Sequence, residues 1–272
     1  MYEAYWQLTG QPFANTSDPR FYYPTETHQG ALLKLRYAVE GKRGGALLAG
    51  SSGLGKSLLA QALLQQLPEQ FAPRVNIVFP QMPPEQLVAF IAGELAGKHA
   101  PVPPTLEQSV HVINQVLARN SAAGRHAVVV IDEAQLLRNN GGFETARLLL
   151  NFEYGGQAGL TLVLIGQPAL LAALERAPEL DERLSVKCLL RALTLDETVS
   201  YVSFRLRAAG AKRDIFDQPA LEAVHRLALG NPRRIHRLCD LALLVGYAEE
   251  RRTITVEQIE SVSQELVTLG QE

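Results

Sequence analysis

The run Gly50-Ser51-Ser52-Gly53-Leu54-Gly55-Lys56-Ser57 constrains this chain more than any other stretch. Four apolar residues, Ala46-Leu47-Leu48-Ala49, lead into it, and Lys56-Ser57-Leu58-Leu59-Ala60 leave it with helical spacing. The local prediction is therefore strand, tight loop, helix. Glycines at 50, 53 and 55 let the backbone wrap closely around an anion, and the amides of the following helix N-terminus add donors. The candidate phosphate-binding segment is Gly50, Ser51, Ser52, Gly53, Leu54, Gly55, Lys56, Ser57 and Leu58. Lys56 is placed to reach β- and γ-phosphates, and the Ser57 hydroxyl to coordinate magnesium. A glycine-rich turn with a chance lysine is the competing reading, and the strand and helix on either side argue against it.

The surrounding pattern supplies the rest of an α/β fold. Continuous apolar runs at 75–79, 127–131 and 160–165 alternate with helical patterns at 30–39, 85–96 and 106–119. Strands apolar on both faces and separated by helices predict a parallel sheet covered on both sides. Pro80, Pro83 and Pro84 stop the second run, and prolines at 101, 103 and 104 mark a loop. Before the first helix lies an aromatic, turn-rich lead-in. Beyond about residue 193 only helical patterns remain, at 195–208, 219–228, 232–247 and 255–266, with Gly230-Asn231-Pro232 as a breaker. The expected organisation is an α/β core over residues 1–192, lead-in included, and an all-helical domain over 193–272.

The run 127–131 ends in Asp132-Glu133-Ala134-Gln135. Carboxylates at the carboxyl end of a buried parallel strand stand where open α/β sheets bind ligands. Asp132 is the candidate to hold magnesium, and Glu133 to orient and deprotonate an attacking water. Read alone, the pair could simply cap the next helix. The phosphate loop upstream favours a hydrolase that uses water.

Charge and cysteine usage exclude other classes. Lys+Arg number 26 against Asp+Glu 28, so the whole chain has no bias toward nucleic acid or acidic lipid. The distribution is uneven, however: residues 183–252 hold 13 basic and 8 acidic groups, and residues 253–272 hold 4 acidic and none basic. Arg233, Arg234, Arg237, Arg251 and Arg252 contribute to that basic stretch, which is either a solvated helical face or a phosphate-contacting one. Cys188 and Cys239 form no framework or metal pattern and are expected to be small core residues. No apolar run reaches the roughly 18 residues of a membrane span, and the expected place of action is cytoplasmic.

At the level of the whole chain the sequence resembles the AAA+ ATPases of the general secretion pathway ExeA or GspA type, which include pilus-biogenesis members of the MshM type. The residues carrying the resemblance run in order. They are Tyr5-Trp6, Leu8-Thr9, Pro12-Phe13, Asp18-Pro19-Arg20-Phe21-Tyr22, the phosphate loop, and Val130-Ile131-Asp132-Glu133-Ala134-Gln135. Further along come Leu164-Ile165-Gly166-Gln167-Pro168, Glu197-Thr198, Tyr201-Val202, Gly230-Asn231-Pro232-Arg233, Ile235 and Leu238-Cys239-Asp240. The implied fold is a P-loop AAA+ core with a carboxyl-terminal helical lid.

The resemblance also implies roles. Gln167 looks like the sensor 1 residue, facing the γ-phosphate or the water, and Arg233 like the sensor 2 arginine, with Arg234 as its competitor; an ordinary strand-end polar group and an exposed helix arginine are the competing readings. Arg183 lies where related ATPases place an arginine finger for a neighbouring subunit, with Arg176 and Arg191 as alternatives; such a finger implies a homo-oligomer. Val39, Glu40, Gly41 and the aromatics Phe13, Phe21 and Tyr22 are the region expected to enclose adenine, with core packing as the competing reading of the aromatics. The sequence departs from the family at Phe79-Pro80-Gln81, where an asparagine is expected to restrain the glutamate; either Gln81 substitutes or the coupling differs. The implied function is hydrolysis of ATP with magnesium to drive envelope secretion or pilus assembly through a protein partner. The rival is a DNA-binding transposition regulator of the TniB or TnsC type.

Overall fold

The computed structural model describes residues 1–14, 21, 23–97 and 105–268. Asp18, Pro19, Arg20 and Tyr22 of the lead-in, and the prolines at 101, 103 and 104, lie outside the described residues. The chain forms two compact units, Thr27–Leu190 and, together, Met1–Glu26 with Arg191–Glu272.

The first unit is built on the expected parallel sheet. Its elements are α1 (Glu26–Glu40), β1 (Gly45–Gly50), α2 (Lys56–Gln66), β2 (Arg74–Ile77), α3 (Pro84–Ala96), α4 (Leu106–Ala122) and β3 (Ala127–Ile131). There follow α5 (Gly142–Leu149), a small hairpin of β4 (Glu153–Tyr154) and β5 (Gln157–Ala158), β6 (Leu160–Gly166), α6 (Ala169–Leu174), α7 (Pro178–Asp181) and β7 (Leu184–Leu190). Strand order is β2-β3-β6-β1-β7, and every pairing is parallel. All residues of β1, β3 and β6 are buried. Alternate side chains divide between two apolar layers, as the two-residue period of a strand requires. Leu47, Val129, Ile131, Leu162 and Leu164 pack with Ile91 of α3 and Ile113 and Leu117 of α4. Leu48, Val128, Val130, Val163 and Ile165 pack with Leu35 of α1 and Leu59 and Leu63 of α2.

Strand β2 stops two residues short of the predicted run, leaving Val78 and Phe79 exposed. Its partner explains this: Ile77 pairs with Ile131, the last residue of β3, and the chain then turns away at Asp132 and Glu133. Pro80 lacks the N–H that a longer ladder would need.

The second unit contains α8 (Leu195–Ala208), α9 (Gln218–Ala228), α10 (Pro232–Ala248) and α11 (Val256–Thr268). Three of these start at side-chain caps, with Thr194, Asp217 and Asn231 accepting from backbone amides one turn in. The lead-in, expected with the sheet, packs instead among these helices. Trp6 is buried and its indole N–H donates to the Leu243 carbonyl at 2.9 Å. The Tyr2 hydroxyl donates to Asp240, and the Thr9 amide to the Ala209 carbonyl at 2.7 Å. Leu8, Phe13 and Phe21 complete the same core. The reason is area: aromatic side chains of this size are stable only where a large apolar surface remains to be covered, and both faces of the sheet are already filled. Cys188 and Cys239 are buried and unpaired.

Candidate nucleotide site

Parallel strands point their carboxyl ends the same way, so the order β3-β6-β1 brings three loops to one edge. From β1 comes the phosphate loop, from β3 the Asp132-Glu133 turn, and from β6 Gln167.

The loop leaves β1 through Gly53 and Gly55, which adopt φ of 84° and 86°. Those left-handed values are open to glycine at little cost. Helix α2 begins at Lys56 with no side-chain cap, so its first amides keep their capacity for an anion. Lys56 is only 6% exposed, and its ammonium donates to the carbonyl oxygens of Gly50 at 2.8 Å and Ser51 at 3.0 Å. Two carbonyls thus hold the cation at the mouth of its own loop. From the first turn of α1, the buried His28 donates its Nε2–H to the Leu54 carbonyl at 2.8 Å, supporting the loop from outside. Sequence reading missed His28, whose position on an amphipathic helix looks like that of any core residue.

Asp132 is 6% exposed and uses both carboxylate oxygens. Oδ2 accepts from the Ser57 hydroxyl at 2.5 Å and Oδ1 from the Glu133 amide at 2.8 Å. Two hard oxygen donors, Ser57 Oγ and Asp132 Oδ2, therefore meet at one point, a donor set that fits magnesium. Glu133 itself adopts φ 52°, ψ 36°, a conformation that costs a non-glycine residue about 1–3 kcal/mol. This left-handed residue turns the chain out of β3 into the 3-10 turn Ala134–Asn139. The turn sends Gln135 back over the strand end, where its Nε2 donates to Glu133 Oε2 at 2.5 Å. Gln167 Nε2 approaches the same oxygen at 3.5 Å. Gln81 is exposed, and the glutamate is held from Gln135 and Gln167 rather than from the end of β2.

The structure thus brings together Gly50 to Leu58, Asp132, Glu133 and Gln167. It does not bring Arg183 to them. Arg183 immediately precedes β7, where its carbonyl accepts from the Gly45 amide at 3.2 Å, while Gly50 pairs with Leu190 at the other end of the strand. At about 3.3 Å per residue along a strand, its backbone stands some ~20 Å from the phosphate loop of the same chain. Both Arg183 and Arg176 are exposed. Arg191 is engaged within the helical unit by Glu197, at 2.5 Å, and Glu26, at 3.8 Å. Arg233 lies in the first turn of α10, its amide donating to Asn231 Oδ1 at 3.1 Å. Of the residues expected near adenine, Val39 is in the sheet-unit core and Phe13 and Phe21 are in the helical-unit core.

Comparison with known proteins gives a family and a fold. A family model described as an AAA domain matches residues 39–174. The General secretion pathway protein A of Aeromonas hydrophila is 37% identical over 254 residues, covering 91% of this chain and 45% of that protein. The chain thus spans about half the length of that relative. Among solved structures, the CDC6P protein of Pyrobaculum aerophilum matches with a TM-score of 0.71 at 16% identity, covering 93% of this chain and 70% of that one. The Aeropyrum pernix ORC2 protein, solved as ADPNP-ADP complexes, matches at 0.67 and 15% identity, covering 94% and 71%. The Aeropyrum pernix ORC1 protein in complex with DNA matches at 0.66 and 17%, covering 92% and 68%. At these identities the solved structures share the fold alone.

Proposed function

Because the chain belongs to the AAA domain family, we propose that it binds ATP at the loop Gly50 to Leu58 and hydrolyses it to ADP and phosphate. The observation carrying this reading is the continuous line of hydrogen bonds from Ser57 through Asp132 to Glu133 beside the phosphate loop. Glu133 takes a proton from water as the water oxygen bonds to the γ-phosphorus and the bond to the β–γ bridging oxygen breaks. Lys56 leaves its two carbonyls for the β- and γ-phosphates, and Gln167 orients the water or the γ-phosphate. Magnesium, held by Ser57 and Asp132, would supply charge neutralisation on those phosphates. Arg183 completes the site of a neighbouring copy in a homo-oligomer, which its distance from its own loop favours.

The likeness to General secretion pathway protein A supports a role in envelope secretion or in pilus assembly, exerted on a protein partner from the cytoplasmic side. Among the described residues no helix is long and apolar enough to cross a membrane. A second reading, DNA binding of the TniB or TnsC kind, is favoured by the 13 basic against 8 acidic groups of residues 183–252. Binding through phosphates would weaken steeply with salt. Absence of DNA binding at low salt, with and without ATP, removes it.

Glu133→Gln tests the main reading. Turnover is expected to fall by about 10²–10⁴-fold, the usual contribution of a general base, while ATP binding persists. Hydrolysis at the wild-type rate in that variant overturns the assignment.

A further inference from the structure

The side chain of Gln135 is used at both ends. Its Nε2 donates to Glu133 Oε2 at 2.5 Å, and its Oε1 accepts the backbone amide of Gln167 at 3.1 Å. This pattern fixes which way the amide faces. Turned over, it would set its oxygen against a carboxylate oxygen and its NH2 against an N–H donor. Space for the oxygen exists because residue 166 is glycine. A Cβ there would lie 2.6 Å from Gln135 Oε1 and 2.7 Å from Leu170 Cδ2.

We infer that Gln135 is a positioning residue for Glu133. It ties one carboxylate oxygen to the end of β6 and leaves the other, Oε1, to meet water. Among the described residues nothing else is bonded to Oε1. The inference rests on the reading of Glu133 as the proton acceptor. It also assigns a purpose to the left-handed backbone at Glu133, since that turn is what returns Gln135 to the strand end. Gln167 then acts on Glu133 through its backbone as well as its side chain. A shift of the β6 end reaches the base by way of the Gln135 amide.

The test separates donation from packing. Gln135→Glu keeps the length and shape of the side chain but removes the donor and sets a second carboxylate beside Glu133. Gln135→Ala removes both. We expect each to lower kcat for ATP by about tenfold or more, with KM and the affinity for a fluorescent ATP analogue within about twofold of wild type, a pattern that reports an interaction made in the transition state. Gly166→Ala, which displaces the Gln135 oxygen without touching Glu133, should lower kcat in the same way. It should add little in combination with Gln135→Ala, since the two changes break one contact. A Gln135→Glu enzyme with wild-type kcat, or a KM that rises in step with falling kcat, overturns the inference. Glu133→Gln in the same assay tells the two failures apart. Full activity there sinks the reading of Glu133 and this inference together, whereas an inactive Glu133→Gln beside fully active Gln135 variants sinks this inference alone.

Discussion

The two units bury polar groups in different ways. In the sheet unit the buried ionisable groups of the carboxyl edge, Lys56 and Asp132, are held by short bonds from the loop backbone and from Ser57. In the helical unit the buried cation Arg205 is bonded to the lead-in. Its guanidinium donates to the carbonyls of Pro12 at 2.5 Å and Ala14 at 3.2 Å and stands over the Phe21 ring at 4.7 Å. Beside it Tyr201 and His236 stack and share a hydrogen bond of 2.5 Å. One set of buried charge gathers where three strand ends meet; the other ties the lead-in to α8. Buried polarity alone therefore does not mark a site. What separates the two is whether the groups converge at the carboxyl ends of parallel strands.

Three changes would break or sharpen that contrast. The largest effect is expected for Lys56→Ala, with nucleotide affinity falling by about 100-fold, the scale of one or two charge-assisted hydrogen bonds. Fluorescent-nucleotide titration measures it. Mixing these subunits with Arg183→Ala subunits should restore part of the ATPase activity if the arginine serves a neighbour, and a mixture as inactive as its components would refute the trans role.

Arg205→Ala comes next. It is expected to destabilise the helical unit by about 2–4 kcal/mol through lost charged hydrogen bonds and lost packing of the stem. Trp6 is the one tryptophan of the chain and lies in that unit, so its fluorescence during urea unfolding reads the change. An unchanged midpoint would mean that the lead-in is held without Arg205.

The smallest effect, taken over a single pH unit, is a pH dependence. Burial, with a smaller contribution from the Arg205 charge, lowers the His236 pKa to about 3. In the sheet unit, burial and then the Lys42 charge lower that of His126, which bonds Thr161 Oγ1 at 2.8 Å, to about 4. Below about pH 6.5 the unfolded chain takes up protons that the folded imidazoles refuse, so stability falls as pH falls toward those values. The slope approaches about 1.4 kcal/mol per pH unit for each group. His236→Gln should flatten the dependence seen by Trp6 fluorescence, and an equally steep curve in the variant would contradict it.

Much of this architecture was legible in the sequence because it depends on local pattern. Helix α8 falls on the predicted residues, and the strand-loop-helix around Lys56 follows from glycine placement. That β1 pairs with both β6 and β7 was not legible, since pairing joins residues far apart in the chain. The partner of the lead-in was hidden for the same reason: Trp6 and Phe13 announce that they need a core, not which one. At the site, Lys56, Ser57, Asp132 and Glu133 were readable from spacing and chemistry. Gln135 was visible only as a letter beside them, because its role depends on the left-handed turn at Glu133, a conformation that propensity assigns to glycine or asparagine.

The grouping of Met1–Glu26 with Arg191–Glu272 has a consequence during synthesis. The lead-in leaves the ribosome before its helical partners have been translated, and the whole of the sheet unit is made in between. At common translation rates that interval is on the order of ten seconds or more. Throughout it Trp6, Leu8 and Phe13 have no finished core to enter. A chain of this order can complete its sheet unit while the core that covers the lead-in is still unmade.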